Sequence, residues 1–190
     1  CNFQLRGEDS EEDAAFVRAL VVELDVPAYV QVFETRAYAA EHGLSMQAAA
    51  RELRYEWLES VRGREGFHYI ATAHHLNDSL ETVLYNFTRG TGLRGLTGIP
   101  LRNGAVIRPL LFATRDELEA YVRRHALRFR EDISNTEDKY DRNKIRLRVL
   151  PVLKGINPGL ERTAASNLDR LQETLALYEW GVRYWRTQLV

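Results

Sequence analysis

The order of helix-like and strand-like segments is the feature that most constrains the fold of this chain. A helical pattern over about 10–25 precedes a β-rich segment at 28–34, and an amphipathic helix after Ser45 precedes a second β-rich segment at 67–74. A third helix, with one apolar stripe, covers 78–89. Strands that alternate with helices of this length are typical of crossover units. We therefore predict an α/β fold with a parallel sheet, helices on both of its faces, and a helical C-terminal segment.

Capping signals place several helix boundaries. Ser10 followed by Asp13, and Thr114 followed by Glu117, match the capping-box spacing, and Ser45 can cap the second long helix. Residues 131–144 are polar and loop-like, and helical pattern then continues to the end with an interruption near 157–159. We predict two domains, 1–155 and a helical linker at 156–190.

Composition excludes several classes of protein. Cys1 is the single cysteine, so neither an intrachain disulfide nor a cysteine-rich metal site can form. The sequence has no run of about 18 apolar residues, and its first residues lack the apolar stretch of a signal peptide. We expect no membrane association and a cytoplasmic location. A chain that opens on CNFQLRG also leads us to expect that an upstream part is missing.

The end of the second predicted strand carries the strongest candidate site. Parallel sheets bind ligands at the carboxyl ends of their strands, and the segment HHLNDSLET lies there, at 74–82. His74 and Asp78 are four residues apart and can face the strand end together if the helix begins near Leu76. Such a pair could transfer protons, orient a substrate or hold a metal. Alternatively, Asn77 or Asp78 simply caps the helix.

Two other patterns are weaker. His74, His75, Asp78 and Glu81 could hold a metal, but consecutive histidines in a strand point to opposite faces, and we predict no metal site. The segment RGTGLRGLTGI matches the spacing of a dinucleotide-binding loop. That loop requires a preceding strand, whereas a helix precedes it here.

The first half of the chain is acidic and the second half is basic. Residues 1–95 carry 9 basic and 15 acidic residues, and residues 96–190 carry 17 and 12, which suggests an anionic partner for the second half. Arg51 and Arg54 lie on the edges of the second long helix. A basic cluster at 139–148, with four arginines at 123–130, could contact an RNA backbone, although scattered solvated arginines are the simpler explanation. The cluster comprises Lys139, Arg142, Lys144, Arg146 and Arg148.

Five segments, in this order and spacing, resemble one family. They are LRGEDSEEDAAFVR, SMQAAARELRYEWL, ATAHHLNDSLETVLYNFTRGTGLRGLTGI, VIRPLL and EDISNTEDKYDRNKIRLRVLPVLKGINPG. Together they resemble the tRNA(Ile)-lysidine synthetases, which are N-type ATP pyrophosphatases with a PP-loop. The resemblance extends from about Asn2 to Gly159.

The resemblance implies a reaction with ATP and Mg²⁺. In this family ATP adenylates the C2 oxygen of the wobble cytidine in an isoleucine tRNA with a CAU anticodon, and the side-chain amine of free L-lysine then displaces AMP. Both steps develop charge that arginine can stabilise. The amine must be neutral to attack, so Asp78 with His74 would position the lysine ammonium or assist its deprotonation. The family often works as a homodimer.

Residue by residue, the resemblance implies catalytic roles for Arg54 in LRY, for His74 and Asp78 in HHxxD, and for Arg146 in RNKIR. Arg142 and Asn143 belong to the same motif as Arg146. Many relatives have Asp where this chain has Asn77. The implied tRNA and phosphate contacts are Lys139, Arg142, Asn143, Lys144 and Arg148.

The family's ATP loop, Ser-Gly-Gly-x-Asp-Ser, does not occur in this sequence, which has no Gly-Gly pair. The residues that bind ATP are therefore unknown here, and we expect the chain alone to be inactive. Three alternatives stay open. The chain could be an RNA-binding fragment without catalysis, another PP-loop tRNA-modifying enzyme such as a thiolase, or a metal hydrolase. A thiolase usually relies on cysteines, and only Cys1 is present.

Overall fold

The computed structural model describes residues 1–130 and 141–189. The chain divides into two compact units, Cys1–Ile70 and Ala71–Val190. Helices dominate both units, and regular strands are short. The predicted parallel sheet with helices on both faces, and the predicted domain boundary near residue 155, stay predictions.

The first unit consists of three helices. They are α1 (Glu8–Glu23), α2 (Thr35–His42) and α3 (Met46–Glu65). Small side chains form its interior: Ala39, Ala49 and Ala50 are buried together with Val61. The predicted strand at 28–34 is reduced to one parallel bridge between Asn2 and Val32, since a strand requires a paired neighbour along its length.

The structure of this unit differs from the sequence-based prediction at two helices. Ser10 does not cap α1, because the helix begins at Glu8 after Gly7, and the Ser10 hydroxyl instead accepts a hydrogen bond from the Arg6 backbone N–H at 3.2 Å. The structure also contains α2, which the sequence pattern did not predict. Its alanine-rich sequence favours a helix, and Gly43 ends it with a left-handed backbone (φ 64°).

The second unit carries the rest of the secondary structure. β1 (Ile70–Ala71) begins in the first unit, and the sheet order is β1-β3-β2. Thr72 N donates to Ile107 O at 3.0 Å, and β2 pairs with β3 antiparallel, Arg102 opposite Ile107. The remaining elements are α4 (Leu76–Arg89), α5 (Leu93–Leu96), β2 (Arg102–Asn103), β3 (Val106–Ile107), α6 (Arg115–Arg124), α7 (Asp141–Lys144), a π-helical turn (Ile145–Val149), α8 (Leu150–Ile156) and α9 (Leu160–Leu189).

The core of the second unit joins the elements that carry the candidate site. Leu80 of α4 packs with Ile145 of the π-helical turn, Leu150 of α8 and Ala164 of α9. The predicted capping box at Thr114 is confirmed, since Thr114 Oγ1 accepts from Glu117 N and the Glu117 carboxylate accepts from Thr114 N. The interruption predicted near residue 157 is also confirmed, between α8 and α9.

The predicted cap at Ser45 is confirmed as well, and its contribution to the free energy of unfolding can be measured. Ser45 Oγ accepts a hydrogen bond from Ala48 N at 3.2 Å, which satisfies one of the free N–H groups at the start of α3. We expect Ser45→Ala to lower the free energy of unfolding by about 1 kcal/mol, measured by urea denaturation. Ser60→Ala, at an exposed position inside the same helix, is the matched control and should leave stability unchanged or slightly raised. Equal losses in both variants would contradict the capping role.

Candidate active site

Asp78 lies in the first turn of α4. The helix begins at Leu76, two residues before the predicted start at Asp78, which meets the condition for His74 and Asp78 to face the strand end together, and His75 occupies the preceding position with an extended backbone. Asp78 Oδ2 accepts a hydrogen bond from His75 N at 2.9 Å, and its charge faces the positive end of the helix dipole. Asp78 therefore does cap the helix. A cap uses one carboxylate oxygen, so the second oxygen can serve another purpose.

The two histidines differ in their contacts. His74 Nδ1 lies 2.9 Å from Thr72 Oγ1, so the hydroxyl orients the imidazole ring just beyond β1. His75 Nε2 lies 3.6 Å from Asp78 Oδ2. Both rings are only partly exposed. The segment thus brings two imidazoles and one carboxylate to the point where strand becomes helix.

Arg146 lies between two carboxylates of the site, those of Glu81 and Asp78. Its Nε donates to Glu81 Oε1 at 2.6 Å and its Nη2 donates to Glu81 Oε2 at 2.9 Å, a two-point contact between planar groups. Nη2 also lies 3.7 Å from Asp78 Oδ1. The hydrogen bonds that Arg146 donates to Glu81 raise the pKa of Arg146 above its ordinary value; burial opposes this shift, and the charges of Glu81 and Asp78 support it. Arg146 is thus a fixed cation between two carboxylates.

Glu81 is a site residue whose contact with Arg146 was not predicted from the sequence. Sequence analysis considered it only as a metal ligand, whereas the structure buries it to 3% exposure against Arg146. Its signal was its spacing, since residues three apart on a helix lie on one face and Glu81 follows Asp78 by three. A buried carboxylate on that face needs a cation, and the basic motif at 142–148 supplies one.

The π-helical turn presents Arg146. This turn contains one residue more than an α-helical turn, and such turns occur often at functional sites. Ile145 enters the core beside Leu80, and Arg146 follows it directly. The buried neighbour thus fixes the backbone from which the guanidinium extends.

Asn77 ties two further helices to the site. Its Oδ1 accepts from Arg115 N at the start of α6 at 2.9 Å, and its Nδ2 donates to Glu161 Oε1 in the first turn of α9 at 3.3 Å. Glu161 also forms an ion pair with Lys154 of α8. A cavity of about 150 Å³ opens among these groups, lined by His75, Asn77, Glu81, Arg115, Asp116, Arg146, Leu150, Pro151 and Lys154.

Four of the five predicted phosphate-contact residues lie on α7 and the π-helical turn, the segment that carries Arg146. Arg142 Nη2 donates to Thr82 Oγ1 at 3.2 Å, and Lys144 Nζ pairs with Asp141 at 3.2 Å. Arg148 is exposed and Asn143 is half-buried. Lys139 lies outside the described residues.

Arg54 belongs to the first unit, where it projects from α3. It is exposed, and its guanidinium carbon lies 5.2 Å from the centre of the Phe3 ring, a cation–π distance. The stacked rings of Phe3 and Phe33, 5.5 Å apart, extend this aromatic surface. Arg54 is therefore held over an aromatic face within its own unit.

A cluster of three metal-ligating side chains and a membrane-spanning helix are both absent from the part of the chain that the structure describes. There, no three side chains of the His, Cys, Asp or Glu type lie close enough together to hold an ion. Within the same residues, no helix is long and apolar enough to cross a membrane.

The ion pair of Glu161 and Lys154 predicts a pH dependence of stability. Burial raises the pKa of Glu161, but hydrogen bonds and the charge of Lys154 outweigh burial, so the pKa lies below the ordinary 4.5. A carboxyl group with a lowered folded-state pKa stabilises the fold above its unfolded pKa, and this contribution disappears as pH falls through the folded value. We expect Glu161→Gln to lower the free energy of unfolding by about 1 kcal/mol at pH 7. The difference from the wild type should shrink as pH falls below about 4.5.

Urea denaturation of both proteins at pH 7, 5, 4 and 3 measures this difference. Asp169→Asn removes an exposed carboxylate from the same helix and is the matched control, for which we expect no change. A difference that stays constant down to pH 3 would mean that the carboxylate of Glu161 is not the stabilising group.

A family model identifies the class of protein to which the chain belongs. The model described as the PP-loop domain matches residues 1–153. The chain therefore belongs to the PP-loop family.

Within this family, the chain is similar to individual proteins named tRNA(Ile)-lysidine synthase. The chain is 46% identical over 179 residues to the tRNA(Ile)-lysidine synthase of Porphyromonas gingivalis (strain W83), with 94% of this chain and 39% of that protein covered. It is 42% identical over 190 residues to the synthase of Bacteroides thetaiotaomicron, covering 100% of this chain and 45% of that protein. The synthase of Chlorobaculum tepidum is 39% identical, with 94% and 55% covered. The resemblance read from the sequence motifs is thus confirmed, and the chain spans about half the length or less of these relatives.

Proposed function

We propose that this chain is part of an enzyme that joins lysine to the wobble cytidine of an isoleucine tRNA at the expense of ATP. The observation that carries the proposal is the similarity of nearly the whole chain, at 46% and 42% identity, to proteins named tRNA(Ile)-lysidine synthase. The substrates of the proposal are ATP, free L-lysine and the tRNA with a CAU anticodon. The setting of Asp78 and Arg146 is consistent with this chemistry.

Each step of the reaction needs a charged group that the candidate site contains. The first step joins the C2 oxygen of cytidine to the α-phosphate of ATP and releases pyrophosphate. In the second step the lysine amine attacks C2 and AMP leaves. Arg146, held as a cation, stabilises negative charge on the phosphate and the leaving oxygen. Asp78 binds the lysine ammonium, and with His74 it accepts the proton that the amine must lose before attack.

The remaining candidate residues are proposed to contact ATP, cytidine or the tRNA backbone. Arg54 acts at the ATP and cytidine site, and Arg142, Asn143, Lys144 and Arg148, with Lys139, contact tRNA phosphates. These contacts should weaken with salt, because each releases counterions from the RNA. We also propose the parallel sheet of the PP-loop fold, a catalytic domain over 1–155 with a helical linker at 156–190, a cytoplasmic location and a homodimer.

Mg²⁺ in this proposal accompanies ATP. The described residues contain no group of three metal-ligating side chains. Mg²⁺ usually needs only one or two carboxylates beside phosphate oxygens. When bound, the ion supplies charge neutralisation on the phosphates.

The test follows labelled lysine into tRNA. The chain, expressed with the sequence that flanks it in its gene, is incubated with ATP, labelled lysine and isoleucine tRNA carrying CAU, and label is measured in the tRNA. We expect incorporation that requires ATP. Matched tRNA with a GAU anticodon, which lacks a wobble cytidine, is the control. Salt-sensitive binding of the CAU tRNA without any transfer would instead favour an RNA-binding relative without catalysis.

A further inference from the structure

Glu81 is a buried carboxylate whose two oxygens both contact one guanidinium. It is 3% exposed, and its oxygens lie 2.6 Å and 2.9 Å from Nε and Nη2 of Arg146. Burying such a charge is unfavourable without a partner of this geometry. In the sequence, Glu81 is a candidate only as a metal ligand, and neither step of the proposed reaction uses it.

The geometry of this contact determines the orientation of Arg146. An arginine side chain has many rotamers, and a single hydrogen bond leaves the guanidinium free to rotate about it. Two parallel bonds to one carboxylate fix both the position and the plane of the group. Because Glu81 stands on the same face of α4 as Asp78, the fixed guanidinium is also directed at Asp78, with Nη2 3.7 Å from Oδ1.

The backbone beneath Arg146 makes this support more important. Arg146 extends from a π-helical turn rather than from a regular helix. Its side chain is 24% exposed, whereas that of Glu81 is 4% exposed, so solvent and ligand reach the arginine and the carboxylate supports it from the protein side. The arginine is thus the accessible partner and Glu81 the buried anchor.

We infer that Glu81 is a positioning residue that acts through Arg146, holding the guanidinium in the orientation in which it meets the reacting phosphate. This inference rests on the proposed function. In this role Glu81 acts on the reaction only through its two hydrogen bonds with Arg146. A displacement of about 1 Å at a reacting group can reduce a rate by about 10²-fold, so the exact length of the Glu81 side chain should matter.

The experiment compares Glu81→Gln and Glu81→Asp with wild type in the protein that includes its flanking sequence. Circular dichroism first establishes that each variant is folded, and lysine transfer is then measured at varied tRNA concentration. We expect kcat to fall about 10²-fold in both variants while KM for the tRNA changes by less than about threefold. Glu81→Asp keeps the charge and shortens the side chain, so it decides the question if Glu81→Gln does not fold.

Two further variants separate positioning from stability. Glu179→Gln removes another partly buried carboxylate, which pairs with Arg94 at 2.8 Å and not with Arg146, and it should keep the wild-type kcat. In an Arg146→Ala background, Glu81→Gln should cause no additional loss of rate, because a residue that acts only through Arg146 has nothing left to position. Equal kcat in wild type and Glu81→Asp, or a further loss in the Arg146→Ala background, would overturn the inference. Wild type that transfers no lysine would instead overturn the proposed function and the inference together.

Discussion

Replacing Asp78 with asparagine is expected to lower the rate of lysine transfer by about 10²-fold or more while the chain stays folded. Asparagine keeps an oxygen that accepts the hydrogen bond from His75 N, so the start of α4 retains its cap. The substitution removes the negative charge, and with it the group that binds the lysine ammonium or accepts its proton. The loss of charge at the helix N-terminus should lower the free energy of unfolding by less than about 1 kcal/mol.

Two measurements on the same protein preparation check this prediction. Label incorporation into isoleucine tRNA gives the rate, and urea denaturation gives the stability. Asp169→Asn makes the same chemical change at an exposed position on α9 and should alter neither quantity. A rate for Asp78→Asn within threefold of wild type would leave the carboxylate with a capping role alone.

Replacing Arg146 with methionine is expected to lower the free energy of unfolding by about 3 kcal/mol. Methionine fills much of the same space but leaves the Glu81 carboxylate buried at 3% exposure without its cation. An uncompensated buried charge is among the largest destabilising effects that one substitution can cause. Urea denaturation at neutral pH measures the change, and Arg142→Met is the control, since Arg142 is exposed and its change should stay within about 0.5 kcal/mol.

A double variant tests the physical reason. If the loss comes from an unpaired Glu81, replacing both residues, as Glu81→Leu with Arg146→Met, should recover most of the stability, because no buried charge is left. A double variant less stable than Arg146→Met would mean that the ion pair contributes net stability of its own. The recovered variant should still transfer lysine about 10²-fold or more slowly than wild type, since the cation at the reaction centre is absent.

Local signals in the sequence predicted many helix boundaries, and long-range pairing limited the rest. The caps at Ser45 and Thr114 depend on residues within three positions, so the sequence contains all the information they need. Ser10 fits the same pattern but lies inside α1, because the pattern does not say which turn is first. Strand lengths at 28–34 and 67–74 depend on the segments that pair with them, and periodicity does not encode those partners.

In the candidate site, too, local features were predictable from the sequence and a long-range contact was not. The spacing of His74 and Asp78 placed both at the strand-to-helix junction, and the family resemblance added Arg146 from a segment more than sixty residues away. The contact between Arg146 and Glu81 could not be read from periodicity, because it joins α4 to a turn whose extra residue shifts the helical register. The roles of these residues in catalysis stay predictions.

The amide of Asn77 has a consequence for how the sequence can evolve. Its oxygen accepts from Arg115 N and its nitrogen donates to Glu161, so an aspartate at position 77 would keep the first bond but place two carboxylates face to face. Positions 77 and 161 are therefore expected to covary. Among homologous sequences, an acidic residue at position 77 should be accompanied by a neutral or basic residue at position 161. The residue in the first turn of α9 should therefore distinguish subfamilies.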